Sequence, residues 1–277
     1  MAMLNLFEVL LFAVAAGLVG SMTGLGGAVV VTPLLVFFGV PIKYAIAASM
    51  VCIIATSSGS ASSYVRDGLS NVRAAFFLEI FTAVGAIVGA VITSFLSPTL
   101  LYFFFAAFLM TSFAAVRRRQ SAAEEPVKQD AWAKSLQLSG SYFDRPTGKQ
   151  IRYELHRPFW AAPGMFVAGL AAGMLGIGAG AFKVSIHEVI LGMPSKVSTA
   201  TSNFIIGMTA LAGASVYFSS GLLYLNLAAP LAIGTTAGAF AGSRVLRNLR
   251  NETVRTLFLV VLAVVIVEML YKGLTSL

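Results

Sequence analysis

The sequence predicts an all-α integral membrane protein made of two inverted-topology repeats, each a glycine-broken re-entrant hairpin plus three transmembrane helices. Three observations lead there. Of 277 residues, 58% are hydrophobic and 11% charged, and the mean hydropathy of +0.87 lies far outside the range of water-soluble domains. Two glycine-rich strings, "GLVGSMTGLGGAVV" at 17–30 and "GLAAGMLGIGAGAF" at 169–182, interrupt otherwise apolar stretches. The residues around those strings recur in the second half at a nearly constant offset.

Six apolar windows, each long enough at roughly 20 residues to cross a bilayer, fall at 44–65, 74–95, 99–116, 197–218, 224–246 and 253–271. Two further apolar regions, 6–38 and 159–191, are cut near their middles by the glycine strings. An offset of 152 carries Gly17, Met22, Gly24 and Gly26 onto Gly169, Met174, Gly176 and Gly178. An offset of 153 then carries Pro41, Lys43, Ser49, Thr56, Tyr64, Gly68, Thr82, Gly85 and Gly89 onto Pro194, Lys196, Ser202, Thr209, Tyr217, Gly221, Thr235, Gly238 and Gly242. Proline, lysine, tyrosine and glycine held in register over this length indicate a duplicated unit.

Charge in the connecting loops predicts how the copies are oriented. Arg66 and Arg73 flank the loop after the 44–65 window, whereas the matching loop near Ser219 has no charge; the next loop of the second half holds Arg244, Arg247, Arg250 and Arg255. Basic loops mark the cytoplasmic side, so matching loops face opposite ways and the repeats are inverted. Inversion needs an odd number of crossings per half, and three full windows supply it. Each glycine-broken region is therefore expected to make no net crossing, with returning arms at 28–39 and 179–191 of roughly 18–20 Å. A broken full span is the alternative. The expected division is an N-terminal repeat at 1–116, a cytoplasmic connecting loop at 117–158 and a C-terminal repeat at 159–277.

The formal charge of +8 does not indicate a nucleic-acid partner, because the bases lie at segment boundaries where they orient the chain. The lone Cys52 excludes a disulfide framework and a cysteine metal site and reads as packing. The first Lys or Arg is Lys43, so the basic start of a cleavable signal is missing and residue 6 onward is read as mature structure.

Non-helical backbone at membrane depth persists only where protein or a polar cavity satisfies it. Two helix starts reaching mid-depth near Gly26 and Gly178 would present free N–H groups and positive dipole ends, which suit an anion. The first arm of each hairpin brings carbonyls to the same depth, and those favour a cation instead. The candidate substrate-binding residues are Gly24, Gly26, Gly27, Ser49, Gly176, Gly178, Gly180, Lys183, Ser202 and Asn203. The hydroxyls and the amide on 44–65 and 197–218 either coordinate oxyanion oxygens or let helices pack closely. Lys183, whose counterpart is Val31, supplies a fixed positive charge. His187, Glu188 and Glu79 are candidates for proton coupling, since ionisable groups inside apolar segments are functional suspects. Glu79 and Glu268 fall inside windows without a matching carboxylate in the other half.

The two glycine strings, followed by "GVPIKYAIAAS" and "GMPSKVSTATS", resemble the TauE/SafE sulfite exporter family, also described as toluene sulfonate uptake permeases. The resemblance covers nearly the whole chain outside the connecting loop. It implies a prokaryotic inner-membrane carrier for sulfite, sulfoacetate or related sulfonates. Ala179 interrupts the second glycine run, and Ser185 stands where a proline would match Pro33, so the two halves are expected to bind differently.

The expected function is thus a secondary transporter working by alternating access at a midplane site, with an anion channel or a carboxylate carrier as alternatives. A membrane-embedded enzyme is disfavoured because the windows hold no His/Cys/Asp cluster or serine–base pair, and no Walker loop for direct ATP hydrolysis is present. Expected partners are a small anionic substrate and membrane lipid, with no nucleic acid, cofactor or metal. The composition is compatible with a homodimer. In the connecting loop, the first part reads as solvated linker, while "GKQIRYELHRPFW" alternates enough to allow a short strand, with Phe159 and Trp160 at the membrane boundary.

Overall fold

A computed structural model describes residues 6–23, 28–118, 131–144, 148–246 and 251–276. In chain order the elements are α1 (Leu6–Thr23), α2 (Ala28–Phe37), α3 (Ile42–Arg66), α4 (Val72–Phe95), α5 (Pro98–Arg118), α6 (Ala131–Ser135), β1 (Gly140–Asp144), β2 (Lys149–Tyr153), α7 (Pro158–Leu175), α8 (Gly180–Val189), α9 (Ser195–Ser219), α10 (Leu225–Leu246) and α11 (Asn251–Thr275). The six predicted windows each fall within one helix. Helices α3, α4 and α7 are long and apolar enough to cross a membrane, and shorter apolar stretches lie in α1, α2, α5 and α10. Helix α9 has 25 residues, but its Ser, Thr and Asn lower its hydropathy, and that polarity is buried at the centre of the molecule.

Both glycine-broken regions fold back on themselves. The Phe12 ring on α1 lies 4.9 Å from that of Phe38, just beyond α2. Gly164 on α7 faces Ile186 on α8, and His156 N–H donates to Leu191 O at 3.1 Å, tying the entrance of the hairpin to its exit. The returning arms are shorter than the sequence suggests. Helices α2 and α8 have 10 residues each, roughly 15 Å, because they end at Phe37 and Val189, where the chain turns toward the left-handed glycines Gly39 and Gly192.

The halves interlock. Helix α1 packs on α10 and α7 packs on α4; α3 and α9 pack together at the centre; α3 also meets α10, α9 meets α4, and α5 meets α11. Exchanging the halves leaves this set of partners unchanged. The atomic contacts follow the same rule. A Cβ on Gly17 would stand 2.1 Å from Thr235 O, and one on Gly169 would stand 2.1 Å from Thr82 O. A Cβ on Gly238 would meet Val14 O and Leu18 N, and one on Gly85 would meet Phe166 O and Leu170 N. All ten positions correspond under the sequence offsets. Glycine is required there because the backbones touch, which is how membrane helices gain packing without a hydrophobic drive between them.

Large apolar side chains on α4, namely Phe76, Ile80, Val84, Ile87 and Val91, stay exposed at helical spacing and form a surface suited to lipid. The connecting segment departs from the all-α expectation in the way its alternation allowed. Strands β1 and β2 pair antiparallel, with Tyr142 opposite Ile151. The later part of this segment is no solvated linker. Leu138 and Leu155 are buried in one cluster with Leu191, Met193 and Val197. Asn71 fastens the segment: its side chain accepts from Ala74 N, capping α4, and donates to Leu138 O at 2.7 Å and Tyr153 Oη at 3.1 Å. Burial raises the Tyr153 phenol above its usual range, against a smaller lowering effect of Asn71. Phe159 and Trp160 are exposed, as boundary aromatics should be.

Candidate substrate site

The second glycine string ends α7 and starts α8 through consecutive left-handed turns. Gly176 has φ +66° and Gly178 +70°, and Ala179 adopts the same region at +51°. Gly176 N–H donates to Ala172 O, closing α7. The chain then reverses and α8 begins at Gly180, its first regular bond running from Lys183 N–H to Ala179 O at 3.0 Å. The break is tightly packed, with Gly176 against Ile46 and Gly178 against Ile206 and Ile53. In the first half, Gly24, Gly26 and Gly27 lie outside the described residues; Ala28 and Val29, which follow them, share an apolar cluster with Met174, Leu175 and Ile177.

Lys183 is 0% exposed although it stands in the first turn of α8. Its Nζ donates to Thr209 Oγ1 on α9 at 2.9 Å. Thr209 Oγ1 lies 3.0 Å from Glu79 Oε2 on α4, and Thr82 Oγ1 donates to the same oxygen at 2.8 Å. A hydroxyl accepts and donates at once, so Thr209 relays from ammonium to carboxylate; Ile205 O at 2.8 Å is the other acceptor within its reach. A buried charge without a partner is strongly unfavourable, and the relay supplies Lys183 with an opposite charge from α4. Among the described residues Glu79 Oε1 has no hydrogen-bond partner, nor has either ring nitrogen of His187, which is also 0% exposed. His187 lies one turn beyond Lys183 on the same face of α8.

The remaining candidates take up other positions. Ser202 Oγ donates to Gly180 O at 3.4 Å, and Ser198 Oγ donates to Val184 O at 3.3 Å, fixing α8 against α9. Asn203 turns back on its own helix, Nδ2 to Thr199 O at 3.0 Å, while its backbone oxygen accepts from Ser57 Oγ. In the first half, Ser49 donates to Ala45 O and accepts from Thr32 Oγ1 at 2.7 Å. These groups join helices. Glu188 is half-buried near the end of α8, and Glu268 stands on α11, outside the relay. The structure thus brings together Lys183, Glu79 and His187 from the sequence-derived set. Thr209 and Thr82 complete the relay; the repeat register marks both, but only the packing of α4 on α9 makes them partners. Among the described residues no group of three or more His, Cys, Asp or Glu is placed to hold a metal ion.

The profile described as "Sulfite exporter TauE/SafE" matches residues 9–269. The chain belongs to the TauE/SafE family. It is similar to the probable membrane transporter protein YunE of Bacillus subtilis (strain 168), 25% identical over 269 residues that cover 94% of this chain and 96% of the relative. It is also similar to the probable membrane transporter protein YdhB of the same organism, 25% identical over 229 residues covering 82% and 85%. No solved structure matches. As a TauE/SafE protein the chain is a multi-pass membrane transporter rather than an enzyme, and the relay of Lys183, Thr209 and Glu79 lies in the interior of a protein that moves solute across a membrane.

Proposed function

We propose that the protein is a secondary carrier that moves a sulfur-containing oxyanion or organosulfonate by alternating access, with its anion site at the start of α8. The observation that carries this reading is Lys183, wholly buried in the first turn of a half-length helix beside the glycine break. There the ammonium, the unpaired N–H groups that begin any helix and the positive dipole end act on the same small volume. An oxyanion with several acceptor oxygens suits such a cluster of donors. The start of α2 at Ala28 contributes the matching helix terminus from the other half.

The inverted-repeat architecture supports the switching step. The exchange-invariant packing partners and the folded-back hairpins fit two units of opposite topology, each with a re-entrant hairpin and three spans. A wholly buried site corresponds to an occluded carrier. Access then requires helices to move against one another; the backbone-to-backbone seams α1/α10 and α4/α7 each join one helix from either half and are suited to moving as rigid pairs, so the motion runs between the two seams. The bacterial relatives are consistent with a prokaryotic inner membrane as the location.

The test is a thermal-shift screen of detergent-solubilised protein against sulfite, sulfoacetate, sulfate, thiosulfate and simple carboxylates, followed by counterflow in proteoliposomes. A ligand at a hundredfold excess over its Kd stabilises the folded state by about 2.7 kcal/mol. Selective stabilisation by sulfur oxyanions, lost in Lys183→Ala, and saturable counterflow are expected. Stabilisation by carboxylates alone would change the substrate class. Flux without counterflow would make the protein a channel.

A further inference from the structure

We propose that Glu79 is the built-in counter-anion of the empty carrier and takes up a proton when the substrate anion settles beside Lys183, so that each anion crosses together with one proton. This rests on the oxyanion reading of the α8 site and adds its coupling.

The argument starts from charge balance. Lys183 and Glu79 act on one another electrostatically, and Lys183 is the charged group acting on Glu79. Helix α7 carries no ionisable side chain in Pro158–Leu175; α9 offers hydroxyls at Thr209, Ser202 and Thr201, with Lys196 near its start and Tyr217 near its end; α3 meets the far end of α4, where Lys43 Nζ donates to Ser94 O; α8 contributes Lys183, His187 one turn on, and Glu188 near its end. With one ammonium and one carboxylate, the occluded site is neutral when empty. A substrate anion accepting from Lys183 brings a second negative charge into a volume sealed from water, where an uncompensated charge is strongly disfavoured. Protonating Glu79 restores neutrality without moving any helix.

The geometry leaves room for that proton. Glu79 Oε2 is occupied by Thr82 and Thr209, but the buried Oε1 has no partner. Thr209 separates the two charges by a hydroxyl instead of a direct ion pair, so Lys183 can exchange Thr209 for substrate while Glu79 keeps Thr82. Thr209 also has a second acceptor, Ile205 O, to which its proton turns when Glu79 no longer draws it. No bond other than O–H changes; the proton comes from the aqueous phase that faces the open site and leaves with the anion on the other side. The two unpartnered nitrogens of His187 lie between Lys183 and the His156–Leu191 closure of the hairpin, on the way to that side of the protein.

The probe is methanesulfonate, a monoanion with no exchangeable proton near neutral pH. The first readout is proton uptake by purified wild-type protein in weakly buffered solution with an indicator dye, expected at about one proton per methanesulfonate bound. Linkage then makes affinity fall about tenfold per pH unit above the range where Glu79 is already protonated. The second readout uses Glu79→Gln in proteoliposomes, a neutral mimic of the protonated side chain. Methanesulfonate binding becomes independent of pH and counterflow persists, while accumulation driven by a pH gradient is lost. Methanesulfonate binding without proton uptake by the wild type, or gradient-driven accumulation unchanged in Glu79→Gln, overturns the role of Glu79 and leaves the oxyanion reading standing. If methanesulfonate neither binds nor exchanges, the sulfonate reading falls and this proposal with it.

Discussion

Lys183 reaches Thr209 and, through it, Glu79; at the positions related by the repeat stand Val31, Thr56 and Ala232. Each site draws its first two residues from one half and its third from the other. Around these sites the scaffold is duplicated down to single backbone contacts, with Gly17 against Thr235 mirrored by Gly169 against Thr82. Thr56 and Thr209 are both buried, yet Thr56 bonds back to Cys52 O and Ile53 O of its own helix, whereas Thr209 joins three helices. Duplication therefore preserved what holds helices together, while the charges gather at one of the two related sites. A symmetric scaffold with an asymmetric site needs a single cation and a single anion, and avoids desolvating a second pair.

The strongest way to break the comparison is to erase the difference. Lys183→Val alone should cost about 3–5 kcal/mol, because it leaves Glu79 buried without its cation. Adding Glu79→Ala makes the site a copy of the related one and should recover most of that stability in thermal unfolding, while sulfur-oxyanion counterflow stays absent. A double variant that transports would show that the charges are dispensable.

Next come the seams. Gly85→Ala and Gly238→Ala would each place a Cβ within 2.2 Å and 2.0 Å of a facing carbonyl oxygen and should each cost about 1–3 kcal/mol. Equal losses sharpen the likeness of the halves. A tolerated substitution on one side only would mean that one seam gives way more easily, and would identify the helix pair that rearranges.

Smaller effects follow at the threonines and at the break. Thr209→Val removes the bridge and leaves Lys183 without its acceptor, for about 1–3 kcal/mol; Thr56→Val should cost less than about 1 kcal/mol. Ala179→Gly restores the residue found at the matching Gly27 and relieves a left-handed alanine, φ +51°. Part of that gain is offset by the extra freedom of glycine in the unfolded chain, so stabilisation of up to about 1 kcal/mol is expected. Differential scanning of the purified variants orders all three.

The helices, the duplication and the importance of Lys183 were legible because each leaves a local trace: an apolar run, a recurring spacing, a charge in the wrong surroundings. The partner of Lys183 left none. Glu79 could be seen as an ionisable residue in a span, but its meeting with Thr209 depends on α4 packing against α9, which no local pattern records. The hydroxyls read in the other direction. Ser49, Ser202 and Asn203 look from their spacing like a lining of donors, and the structure uses them between helices, since a buried hydroxyl satisfies itself on the nearest free carbonyl. The docking of the connecting segment was hidden too, because Leu138 and Leu155 are isolated apolar residues in a polar stretch and acquire meaning only from the cluster they complete.

The seam between α1 and α10 has a consequence for biosynthesis. The first hairpin emerges from the ribosome with glycines shaped for a partner that lies about 200 residues downstream, a delay of roughly 10–40 s at ordinary rates of translation. Until α10 arrives, the Gly17 face of α1 has no facing backbone to pack on, so the nascent protein needs a protected berth in the insertion machinery, and a chain cut short after its first half should be recognised as defective and degraded.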